Sequence, residues 1–117
     1  APATEKSAVP ANARARADAA KRMYELGLER MRKHTAMDSE YLQRWSVRWL
    51  QAERDLAPNR AEDAASLRQH VLRMRELNEL VGKFVQARQA TEIEEQATQF
   101  YVLEAEDWLS TALRSGD

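Results

Sequence analysis

Apolar residues return every three or four positions along most of the chain, and the places where that rhythm stops divide it into four predicted helices. From Asn12 to Lys33, the residues Ala17, Ala20, Tyr24, Gly27 with Leu28, and Met31 make one stripe, the mark of a helix buried along a single face. The rhythm lapses over His34-Thr35-Ala36-Met37-Asp38, where Thr35 and Asp38 have the spacing of a capping pair, so a turn is predicted there. Leu42, Trp45, Trp49, Ala52 and Leu56 then step by three and four, a heptad seam that predicts a second helix to about Ala57 with two indoles on its buried face.

Pro58 has no amide hydrogen for a helix interior, and Asn59 followed three residues later by Glu62 is an N-cap signal, so a break is favoured at this point. The opposing reading keeps one long helix kinked at Pro58, because Leu56, Ala57 and Ala61 carry the apolar phase across it. Beyond it, Ala64, Leu67, Val71, Met74, Asn78, Val81 and Val85 form a third seam, flanked by Leu77, Leu80 and Phe84, with Asn78 its one polar member. A lone polar seam residue either sets register or faces solvent. The pattern lapses at Ala87-Arg88-Gln89-Ala90. Thr91-Glu92-Ile93-Glu94 is a capping box that opens a fourth helix with the seam Thr98, Val102, Ala105, Leu109 and Ala112, Phe100, Tyr101 and Trp108 beside it, and an end near Arg114. Short connections force sequential helices to run antiparallel. The expected fold is all-α: an antiparallel up-down helical bundle of two coiled-coil-like hairpins, with residues 12–114 as a single domain and 1–11 as a flexible N-terminal arm. The kinked alternative is a long central helix with two helices folded back on it.

Tyr24-x-x-Gly27, Thr35, Ala52-Glu53 and Leu56 are echoed by Phe84-x-x-Ala87, Thr91, Ala105-Glu106 and Leu109. The aromatic lies 28 residues before the Ala-Glu pair in the first copy and 21 in the second, and the difference of one heptad lengthens a coiled coil without rotating its seam. On these residues the chain resembles the periplasmic α-hairpins of outer-membrane efflux proteins of the TolC family, with Tyr24, Gly27, Thr35, Ala52, Gln89, Thr91 and Ala105 matching that pattern across most of residues 17–113. No segment alternates as a transmembrane β-strand does, and the chain is shorter than a channel protomer. The resemblance therefore implies the hairpin and not the pore. The chain is also similar to exported helical proteins with the same repeat, which implies a cell-envelope location and no particular activity.

Composition narrows the functional classes. Lys and Arg number 18 against 19 Asp and Glu, so the chain lacks the positive surplus that nucleic-acid binding uses. Its longest run without a charge, Gln96 to Leu103, falls short of the roughly 20 residues that span a bilayer. No cysteine is present, which removes disulfides, thiolate nucleophiles and Cys-ligated zinc. An Ala-Pro-Ala start followed by a polar spacer is what signal cleavage leaves, so a periplasmic or otherwise exported protein is expected; an arbitrary chain start reads the same. Charge is uneven: residues 12–33 hold seven basic and three acidic side chains, whereas from Gln89 onward there are one and seven. Opposite charge on the first and last helices points to complementarity, within the chain or between chains.

Few residues suggest chemistry. Met31, His34 and Met37 are three apart and could converge as soft ligands for Cu(I) or Ag(I); the plainer reading packs Met31 in the seam and places His34 at the helix C-terminus, where cations are favoured. His70 and Met74, one turn apart, echo that idea. Trp45, Trp49 and Trp108 could form an aromatic cage, but heptad spacing makes them core, with Arg44 and Arg48 placed for cation–π stacking. The carboxylates Glu92, Glu94, Glu95, Glu104, Glu106 and Asp107 make the fourth helix acidic, with nothing in the pattern to bury them. No catalytic residue and no cofactor site is assigned. The expected role is a non-enzymatic helical interaction or scaffold module of the cell envelope, holding a protein partner or a second copy, as in a homodimer, through its seams. The alternative is a periplasmic soft-metal-binding or metal-sensing bundle.

Overall fold

The computed structural model describes residues 9–33 and 38–115 and contains four helices: α1 (Ala13–Arg32), α2 (Ser39–Leu56), α3 (Arg60–Gln86) and α4 (Glu92–Arg114). No strand occurs among the described residues. α1 packs on α2, α2 on α3 and α3 on α4, each pair antiparallel. Cross-helix contacts fix the directions: Arg16–Asp55 and Tyr41–Met23 lie at opposite ends of the first pair, and His70–Trp108 and Asn78–Thr98 mark the last. The bundle is flat, 58 × 30 × 15 Å, and its radius of gyration of 16.0 Å exceeds the roughly 13 Å of a compact domain of this length.

Local chemistry explains the helix boundaries. Asp38 caps α2, its carboxylate accepting from the Glu40 amide at 2.9 Å; Thr35, expected in that role, lies outside the described residues. Pro58 breaks the chain. Ala57 and Asn59 are extended, and the Asn59 side chain accepts from the Glu62 amide at 2.9 Å, so α2 and α3 are separate helices and the kinked alternative does not hold. Thr91 and Glu94 form the expected capping box at the start of α4. At the other end of that turn α3 closes with the Arg88 amide donating to Val85 O and the Gln89 amide to Phe84 O, which places Arg88 at φ 61, a left-handed site that usually holds glycine. Val9 begins the described part of the predicted arm, and its residues 1–8 lie outside the described ones.

The core joins Tyr24, Leu28 and Met31 of α1 to Leu42 of α2, Val71, Met74, Leu77 and Val81 of α3, and Ala105 of α4. Gly27 lets α1 approach α2 closely, because a Cβ there would lie 2.6 Å from the Tyr41 ring. One expected seam is corrected. On α2 the buried line is Ser39, Leu42, Ser46 and Leu50 with Ala52, whereas Trp45, Trp49 and Leu56 are only half-buried. α2 is sandwiched between α1 and α3, so the narrow serines occupy the closest approach and the indoles are pushed to its sides.

Candidate functional site

The structure does not bring the sequence candidates together. Met31 is buried in the core, and His34 and Met37 lie outside the described residues. Among the described residues no group of three or more His, Asp or Glu side chains is placed to hold a metal ion. The three tryptophans form no common cage: Trp45 lies under Arg48 at 4.5 Å and beside Tyr41, Trp49 lies under Arg73 at 3.9 Å, and Trp108 stacks on His70 at 5.6 Å. Arg44 pairs with Glu40 at 3.3 Å.

What all four helices do share is a buried polar cluster. The Arg73 Nε donates to Ser46 Oγ at 2.6 Å and its Nη2 to Ser46 O at 3.2 Å, while Ser46 Oγ lies 2.7 Å from His70 Nδ1. Tyr24 donates to Arg73 O at 3.3 Å from α1, and Trp108 of α4 covers the His70 ring. Ser46 Oγ accepts from arginine and keeps both its hydrogen and a second lone pair for His70 Nδ1, so the contact suits either neutral tautomer of the imidazole. The buried setting beside the Arg73 cation favours the neutral ring. Electrostatics agree: burial, and then the Arg73 charge, push the His70 pKa down to about 4. Burial lowers Arg73 to about 10, still charged at neutral pH, and raises the Tyr24 phenol. No carboxylate lies within ion-pair distance of Arg73 among the described residues; the Trp49 face, the hydroxyl and carbonyl of Ser46 and, from farther off, the Glu53 carboxylate favour its charge.

A serine hydrogen-bonded to a histidine invites comparison with a nucleophile and its base. Here Ser46 is 0 % and His70 1 % exposed, and the hydroxyl is held by a guanidinium that draws electron density from its oxygen. No substrate atom reaches it without separation of α2 from α3. The cluster fixes the register of these two helices. Sequence reasoning missed it because it tracked apolar residues; the available signal was a polar residue at core phase on each helix, Ser46 midway between Leu42 and Leu50, and His70 and Arg73 between Leu67 and Met74.

The accessible feature lies on α4. Only Thr98 and Ala105 of this helix are buried. Asn78 is half-buried and donates to Thr98 Oγ1 at 2.8 Å, so it sets the register of α3 on α4. On the opposite face Ile93, Phe100 and Leu103 are 81 %, 60 % and 53 % exposed, and Gln96, Asp107 and Ser110 continue the same line. Those six positions step by three and four. They form a second heptad seam with no helix on it among the described residues. Comparison with protein families, curated proteins and solved structures finds no match.

Proposed function

We propose that the chain is a helical interaction module, non-enzymatic and exported to the cell envelope, that holds a partner through the outer face of α4. One observation carries this reading: a solvent-facing heptad line on α4 whose apolar members are too large and too exposed to stabilise the monomer. Water-exposed Phe and Leu at coiled-coil spacing are what a partner helix needs as knobs, and Asp107 within the line, with Glu92 and Glu104 beside it, supplies selectivity by charge. The buried cluster supports the reading from the other side, since it stiffens the platform behind α4. The cell-envelope location rests on the resemblance to exported α-hairpins.

The test is cross-linking in the native host with wild type and with Phe100→Glu, Leu103→Glu, both at exposed positions. Proteins captured by wild type and lost from the double variant, with unchanged helical circular dichroism, are the expected result. The same captured set from both would overturn the assignment to α4, and recovery of the chain only in the cytoplasmic fraction would overturn the envelope location.

A further inference from the structure

Opposite charge on the first and last helices could be satisfied within the chain or between chains, and the structure separates these cases. The cross-helix ion pairs of α1 run to α2 and α3, as Arg16–Asp55 and Arg32–Glu76, and that of α4 runs to α3, as Arg75–Glu106. Among the described residues no ion pair joins α1 to α4. Lys21, Arg22 and Arg30 on one side, and Glu92, Glu104 and Asp107 on the other, take part in no ion pair there.

The outer face of α1 also has a matching shape. Ala15, Ala19, Arg22, Leu26, Glu29 and Lys33 are all exposed and step by four and three, an outer line of the same spacing as that on α4, with two alanines toward its start and Leu26 as its one large apolar member. Where this line ends, Leu26, Gly27, Glu29, Arg30, Lys33 and Tyr41 surround an open depression of about 450 Å³ between α1 and α2. Leu26 and the Tyr41 ring packed over Gly27 make it apolar, and Arg30 stands at its rim with Lys33, which pairs with Glu29 at 2.9 Å.

Resting on the interaction-module reading, we infer that the partner of α4 is a second copy of this chain: the acidic, apolar line of α4 lies on the basic line of α1 in the next molecule, with Phe100 seated in the Leu26–Tyr41 depression. α4 against α4 would set acid on acid, and α1 against α1 would set base on base, so the contact is head to tail. A head-to-tail contact uses two different surfaces on each copy. Repetition therefore builds a closed ring or an open filament.

The experiment uses the full chain in sedimentation velocity over a concentration series, with Phe100→Glu to block the α4 surface and Leu26→Glu to block the α1 surface. Wild type is expected to associate, more weakly as salt rises. Each variant alone is expected to weaken association by roughly thirtyfold or more, as loss of a central interface residue does. The two variants mixed should form a one-to-one dimer that neither forms alone, because each retains the surface the other has lost. If Leu26→Glu fails to fold, the exposed pair Arg22→Glu, Arg30→Glu blocks the same surface by charge. Wild type that stays monomeric throughout overturns self-association, while the cross-linking result on α4 still stands or falls separately. Association that survives either variant, or a mixture with no dimer, overturns the head-to-tail geometry.

Discussion

α3 and α4 form one hairpin, have similar lengths and carry seams of the same spacing, yet α3 buries eight residues and α4 two. The reason is position. α3 is covered by α2 on one side and α4 on the other, so its buried surface spreads to His70, Arg73 and Leu77, beyond any single heptad line. α4 closes the row, packed chiefly on α3, and leaves Val102, Leu109 and Ala112 half-buried and a further apolar line in water. Equal periodicity thus coexists with unequal burial, because spacing encodes the direction of a face and not the number of helices that will cover it.

The sharpest way to test that contrast is to truncate one leucine on each helix. Leu77→Ala, at a fully buried site of α3, should cost about 2–5 kcal/mol, whereas Leu103→Ala on α4 should change stability by less than about 0.5 kcal/mol. Chemical denaturation of both variants gives the answer, and similar losses would mean that the outer face of α4 is covered in the monomer.

Acid separates the helices next. Unfolded His70 titrates near 6.5 and the folded residue at about 4, so below pH 6.5 the unfolded chain takes up a proton that the folded chain refuses. Stability is therefore complete above 6.5 and falls as pH drops toward 4, by up to about 3 kcal/mol from this group. His70→Gln, which keeps an acceptor for Ser46, should flatten the decline between these values. Equal slopes in wild type and variant would assign the acid sensitivity to other groups.

Smaller effects fall at the turn between the two helices. Thr91→Ala removes the cap of α4 and should lower stability by about 1 kcal/mol in thermal unfolding. Arg88→Gly relieves the left-handed backbone that closes α3 and should raise stability by up to about 1 kcal/mol. A loss on Arg88→Gly would show that the arginine side chain contributes more than its backbone conformation costs.

Helix number, caps and order were legible because each is a local property: Asn59, Thr91 and Pro58 act on amides within four residues of themselves. The α3 seam was legible for the same reason. The α2 seam was not. Which of Trp45, Ser46 and Trp49 sits deepest depends on two neighbours approaching from different directions, and that is a property of the assembled bundle. Part of the internal echo meets the same limit: Ala52 and Ala105 are both buried, but Gly27 lies under Tyr41 while its counterpart Ala87 is the exposed last cap of α3. The buried cluster was invisible because hydrogen-bond partners on different helices leave no periodic trace. The α4 surface was half visible, in its charge and in Phe100, and became a surface only once the other face was filled.

Packing in strict chain order has a kinetic consequence. Each helix finds its main neighbour immediately before or after it in sequence, so most contacts form by closing short loops, and chains of that kind fold in microseconds to milliseconds. The buried cluster is the exception where Tyr24 of α1 reaches Arg73 of α3, 49 residues away, since that contact requires three helices to be aligned along their length. Hairpins should therefore collapse first and the arginine should dock late, so that weakening the cluster accelerates unfolding far more than it slows folding.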